Sequence, residues 1–155
     1  MPILVTINVK REFEVNSPYD KVFDTLANVP VSVSYFPKVD RLEDMGDGVF
    51  KWEMDKVGVD KYSIQTVYAC KYISDKAAGW VKWEPVKGVG NALVNGEWNI
   101  KSLEAGKTKI NFASKGDLTI PLPGLLKFII APVVSMEFES LIDKYHKNLK
   151  EFFNK

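Results

Sequence analysis

The chain has 155 residues, of which 46% are hydrophobic and 26% charged, with a formal net charge of +1. That length suits a single domain, and the composition is that of a globular protein rather than a disordered one. So small a net charge, with Lys and Arg interleaved among acids, supplies no field for nucleic acid, and no nucleic-acid partner is expected.

The chain opens directly on strand-like alternation, without the basic and apolar regions of a signal peptide, so none is expected. Ile3, Val5, Ile7, Val9, Phe13 and Val15 share one face, and Thr6, Asn8, Lys10, Glu12 and Glu14 share the other. This is a long strand with one dry side and one wet side. Arg11 interrupts the dry face, either at a cavity mouth or beyond the covered part of the sheet. Ser17 then offers a helix cap, Pro18 a first helical position and Asp20 a favourable first-turn charge. Val22, Phe23 and Leu26 follow at helical spacing, which predicts a short helix over residues 18–28. Pro30 is expected to stop it, and Val31 to Phe36 to form a second helical turn closed by Pro37.

From Val39 to Ile120 the pattern is a run of antiparallel strands. Turn signals fall at Gly46-Asp47-Gly48, Gly58 to Asp60, Ser74 to Gly79, Gly88 to Asn91 and Glu104 to Lys107. Phe50, Trp52 and Met54 alternate with Lys51, Glu53 and Asp55. Tyr62, Ile64, Thr66, Tyr68, Cys70 and Tyr72 fall on one face of what reads as a single strand. Ala92, Val94, Gly96, Trp98 and Ile100 share a face, as do Ile110, Phe112 and Ser114. With the opening strand this makes about seven strands facing a shared interior. Phe138, Leu141, Ile142, Tyr145, Leu149 and Phe152 then recur every three or four residues, which predicts a long amphipathic helix. Its acids (Glu137, Glu139) are expected early and its lysines (Lys147, Lys150, Lys155) late, as the helix dipole prefers.

These elements make an α+β fold in which one curved sheet buries a face and the terminal helix covers it. The order of motifs carries a resemblance. The opening strand is followed by Ser17-Pro18-Tyr19-Asp20-Lys21-Val22-Phe23-Asp24-Thr25-Leu26. Then come Tyr35-Phe36-Pro37-Lys38-Val39, Asn95-Gly96-Glu97-Trp98 with Gly106-Lys107-Thr108-Lys109-Ile110, and the aliphatic terminal helix. Over essentially its whole length the chain resembles the Bet v 1-like or START-like superfamily, the helix-grip or SRPBCC fold. Within it the chain is similar to bacterial polyketide cyclase/dehydrase-like and carbon-monoxide-dehydrogenase subunit-like proteins, and more loosely to coenzyme Q-binding proteins. The resemblance implies a hydrophobic pocket and a class of ligand, not one reaction.

Few residues suggest chemistry. Cys70 is the only cysteine and His146 the only histidine, so neither a disulfide nor a Cys or His metal site is expected, and no cofactor is implied. His146, at the border of the apolar stripe beside Lys147, is expected at the surface or boundary. Cys70 is expected to be a buried inert thiol, and Glu53, Asp55 and Glu84 to face water. Gly88-Val89-Gly90 lacks the strand-to-helix setting of a phosphate loop and reads as a turn. The apolar run from Leu122 to Met136 contains Pro123, Gly124, Lys127 and Pro132 and falls short of the roughly 18 clean residues of a membrane span. A cytoplasmic protein, monomeric or weakly dimeric, is expected. Within that run, Leu125 to Val134 reads as a buried helix start, a cavity wall with a gate, or a patch in transient contact with a membrane.

The aromatic inner faces are the most informative feature, because apolar walls with a few OH and NH groups suit a ligand better than a plain core does. The expected lining is Trp52, Met54, Tyr62, Ile64, Thr66, Tyr68, Trp98, Phe112, Phe128 and Met136. The expected partner is a hydrophobic or amphipathic small molecule such as a lipid, quinone or polyketide-like ring system. Binding without catalysis is the first expectation, a cyclase or dehydrase using the same cavity the second, and a protein-interaction module the third. On the first, a charged residue at Trp98 would stop uptake while the fold survived.

Overall fold

The computed structural model describes every residue except Met1 and Asp60, and only the backbone of Val59. Asp60, at the end of the turn expected from Gly58, therefore lies outside the described residues. The first strand, β1 (Ile3–Val15), alternates buried and exposed positions as its sequence dictates. Two short helices follow, α1 (Tyr19–Ala27) and α2 (Val29–Val33). Then come β2 (Val39–Gly46), β3 (Val49–Met54), β4 (Val57–Val59), β5 (Tyr62–Ile64), β6 (Val67–Asp75), β7 (Trp80–Pro85), β8 (Ala92–Ser102) and β9 (Thr108–Ile120). The chain finishes in α3 (Lys127–Phe153), 27 residues long.

Seven strands form one antiparallel sheet in the order β1-β9-β8-β7-β6-β3-β2, and β4 and β5 form a separate two-stranded hairpin. The strand expected from Tyr62 to Tyr72 is thus two. Met54 donates from its backbone to the Thr66 carbonyl, and the Asn91 amide bonds both the Gln65 carbonyl and the Val67 N–H. These bonds occupy the backbone on either side of the break, so β5 leaves the main sheet. At the β2–β3 hairpin, Asp47 and Gly48 both have positive φ (54° and 78°), the pattern of a type I′ turn and the reason for its Asp-Gly pair.

Three local expectations change. Ser17 does not cap α1. Its hydroxyl donates to the Phe153 carbonyl at the end of α3, while Thr108 donates to the Ser17 carbonyl, so one buried serine joins three elements. Pro30 does not end α1 but sits in the first turn of α2, where a missing N–H costs nothing, and the Asn28 side chain caps that helix by accepting from the Val31 N–H. Finally, α3 begins ahead of Pro132, which lies inside it, so Glu137 and Glu139 are mid-helix. They pair instead with Lys38 (3.2 Å) and Arg11 (3.4 Å), and Arg11 also reaches Asp143 at 2.7 Å. Arg11 is therefore a clamp from β1 to the helix, partly exposed and worth about 1 kcal/mol at most.

The concave sheet face and the inner side of α3 enclose the core. Gly96 on β8 is one of its requirements. A Cβ there would strike the Trp83 ring and the Ala113 carbonyl, so only glycine lets Trp83 lie across the strand. Gly96→Ala is expected to lower stability by about 1–3 kcal/mol, read as a fall in the thermal midpoint; an unchanged midpoint would contradict that packing.

Candidate ligand cavity

Two hollows remain between sheet and helix, each of about 50 Å³. The first is aromatic. Trp52 (β3), Tyr68 and Tyr72 (β6), Trp83 (β7), Trp98 (β8) and Phe112 (β9) wall it from the sheet. Val29, Ser32 and Val33 of α2 and Ile142 and Tyr145 of α3 close the other side. Trp52 and Tyr68 stack at 5.5 Å between ring centroids with planes 16° apart, a consequence of their direct cross-strand pairing. The second hollow is aliphatic and lies toward the β4–β5 hairpin. Met54, Val57, Ile64, Thr66, Ala92, Leu118, Val134 and Leu141 line it, with Lys38, Asp55 and Glu137 among its polar members.

Seven expected lining residues are divided between the hollows. Trp52, Tyr68, Trp98 and Phe112 are in the first, and Met54, Ile64 and Thr66 in the second. Tyr62 lines neither; it is half-buried on β5, with the Lys61 ammonium 5.6 Å from its ring centre. Phe128 and Met136 are corrections, for they are 78% and 71% exposed. Ile130 and Val134 take the inward face of α3, so positions two residues away, on the far side of the helix, point out. Tyr72, Trp83, Ser32, Phe138 and Tyr145 are lining residues that the sequence reading did not name for the pocket. Trp83 carried a signal, since Val81 and Trp83 alternate with Lys82 and Glu84.

The polar groups of the first hollow are hydroxyls. Ser32 and Tyr145 bond each other, and the Trp52 indole N–H donates to the Tyr72 hydroxyl at 3.0 Å. The Tyr68 hydroxyl has no partner among the described residues, but it is not sealed in protein, for Tyr68 lines the hollow. Burial pushes the Tyr68 and Tyr72 phenols well above the ordinary range and raises Tyr145 too. The Trp52 and Ser32 bonds oppose that rise at Tyr72 and Tyr145 without reversing it. All three stay protonated at neutral pH, as donors rather than bases.

No protein-family model and no curated protein matches the chain. Solved structures do. A START superfamily protein from Mycobacterium smegmatis superposes with a TM-score of 0.65 at 11% identity, covering 94% of this chain and 96% of that one. The Zhui aromatase/cyclase from a Streptomyces species gives 0.60 at 18% identity over 94% and 90%. Norcoclaurine synthase from Thalictrum flavum, in complex with dopamine and hydroxybenzaldehyde, gives 0.60 at 16% identity over 98% and 91%. This chain has the START-like helix-grip fold. At such identities the match carries the fold and leaves the ligand open.

In this helix grip His146 is not a boundary residue. It is 4% exposed among Phe13 (5.2 Å between centroids), Trp98 (5.3 Å) and Phe112 (4.6 Å). Its Nε2 has no partner among the described residues, and burial pushes its pKa down to about 3. The cause is the one-residue offset from Tyr145, which turns it toward β1 and β9 instead of toward solvent. Cys70 is fully buried, its thiol donates to the Val94 carbonyl at 3.2 Å, and burial pushes its pKa up to about 12. Ellman's reagent is therefore expected to leave Cys70 untouched in native protein at neutral pH and to label it fully in denaturant. Stoichiometric native labelling would contradict this burial.

The turn leading into α3 and the outward side of its first turns are apolar as well. Leu125, Phe128, Ile129, Val133 and Met136 form a stripe at helical spacing, exposed between 39% and 85%. Among the described residues, no helix is long and apolar enough to cross a membrane.

Proposed function

We propose that residues 1–155 form one ligand-binding unit, whose interior takes an amphipathic small molecule with an apolar body and one polar head. The observation that carries this is the Tyr68 phenol, protonated and without a partner among the described residues in a hollow lined by aromatic and aliphatic side chains. Lining the hollow with no protein partner, this phenol is a free donor that a ligand carbonyl or hydroxyl would satisfy. Ser32 and Tyr145 lie on the helical side of the same hollow and supply a second polar point. Lipids, quinones and polyketide-like rings all meet this description.

Native mass spectrometry of the purified protein, followed by extraction of whatever leaves with it, tests the reading. A recurrent apolar adduct with one or a few oxygens is expected. No adduct, and no binding across a panel of lipids and quinones, would overturn it.

Tyr68 also favours a second reading, a cyclase or dehydrase-type enzyme in which a phenol donates to a carbonyl oxygen as charge develops there. Turnover of a poly-β-ketone thioester that Tyr68→Phe abolishes, with binding retained, would establish it. The outer α3 stripe is where we propose transient contact with a lipid layer during loading. Lys127 is the only charge between Asp117 and Glu137, and Val134 and Glu137 of the second hollow adjoin Val133 and Met136. Co-sedimentation with anionic vesicles, lost on Phe128→Glu, is expected; equal sedimentation of wild type and variant would contradict it.

A further inference from the structure

The two hollows share two wall residues, Val94 and Phe138. Along α3, Val134 and Leu141 line the aliphatic hollow and Ile142 and Tyr145 the aromatic one, and Phe138 is the helix residue that lines both. Across from it on β8, Ala92 lines the aliphatic hollow and Trp98 the aromatic one, so the change falls at Val94. One residue from each side, Phe138 and Val94, therefore borders both hollows.

The two partition residues differ in freedom. Val94 is 4% exposed and its carbonyl accepts the Cys70 thiol. Phe138 is only half-buried, so it is less confined than Val94. Size makes the difference matter. A hollow of about 50 Å³ holds a water molecule or two, whereas a benzene ring needs on the order of 150 Å³. Neither hollow admits a ring as it stands. Withdrawal of one phenyl group adds roughly a ring's volume and joins them.

We infer that Phe138 is the partition that decides which ligands enter. With its ring withdrawn, the hollows merge into one elongated site for a molecule with an oxygen-bearing ring at the Tyr68 end and an unbranched apolar tail toward Thr66 and Met54. This rests on the binding reading above and adds the shape of the ligand and the residue that gates it. The bound state is one the free protein populates sparsely, and apparent affinity falls by that fraction. Removing the ring removes the penalty. The consequence is opposite in sign to that of an ordinary wall residue, whose truncation weakens binding.

The test is titration of para-alkylphenols, from para-ethylphenol to para-nonylphenol, by calorimetry on wild type, Phe138→Ala and Phe138→Trp. Wild type is expected to bind the long members only. Phe138→Ala is expected to bind para-nonylphenol about tenfold tighter and to gain the shorter members. Phe138→Trp is expected to lose the dependence on tail length. If the alanine variant melts before it can be titrated, Phe138→Leu tests the same direction with a smaller gain. Weaker or unchanged binding by the truncated variants, with wild type binding normally, overturns the partition and leaves the binding reading standing. Silence from every variant toward every probe overturns both.

Discussion

Trp98→Ala is expected to lower the unfolding free energy by about 3–5 kcal/mol, measured by urea denaturation followed by circular dichroism. Trp98 is 3% exposed, and its ring centre lies 4.7 Å from Phe112, 5.3 Å from His146, 5.9 Å from Tyr145 and 6.4 Å from Trp83. It joins the sheet to the helix at the centre of the aromatic cluster, and no neighbour can collapse into its place without leaving its own partners. Domains of this kind have about 5–15 kcal/mol in total, so the truncated protein is marginal and a charge at the same position unfolds it. That revises the expectation that a charged residue at Trp98 would remove the ligand alone. Trp98→Phe, which keeps an apolar ring, is the variant for binding studies. A loss below about 1 kcal/mol in Trp98→Ala would mean that the cluster is looser than described.

The second large effect is acid sensitivity from His146. Burial is the main cause of its low pKa, the Arg11 and Lys150 charges reinforce it, and Asp143 opposes it. An unfolded histidine titrates near 6.5, and this one near 3 in the native protein. Between those values the unfolded chain holds a proton that the native one does not, so stability falls as pH falls through that window. The loss attributable to His146 is on the order of 4 kcal/mol by its lower edge. His146→Phe is expected to remove that component while the carboxylates still titrate, and to match or exceed wild type at neutral pH, because an unpartnered buried nitrogen disappears. Urea midpoints of both proteins between about pH 4 and 7 check this; parallel curves would place the ring in water.

The fold was legible because its signals are periodic. Alternation in β1, β8 and β9 and the three-and-four spacing of α3 survive in the structure nearly unchanged. What misled were residues whose role depends on distant partners. Ser17 reads as a cap and is held instead by the end of α3. His146 reads as a boundary residue because Lys147 follows it, yet the curvature of the sheet brings Phe13 and Phe112 over it. The start of α3 is apolar on both sides, so periodicity could not tell Ile130, which is buried, from Phe128, which is exposed. Of the ten expected lining residues, Trp52, Met54, Tyr68, Trp98 and Phe112 meet a hollow because strand parity fixes which sheet face they share, while Ile64 and Thr66 reach the second hollow from the end of β5 and the break before β6. The division of that space into two was not readable, since which side chains border both hollows, Phe138 and Val94, depends on how the helix sits on the sheet.

The central claim is that the ligand goes inside, between the sheet and α3. Methyl-selective NMR during titration with para-nonylphenol tests it most directly. Shifts are expected at Leu26, Val94, Leu141 and Ile142, which line the hollows, with intermolecular contacts from the phenol ring to the first hollow and from the tail to the second. Shifts confined to Leu125, Ile129 and Val133, with the interior methyls unmoved, would show that the probe binds the outer stripe and would contradict the account.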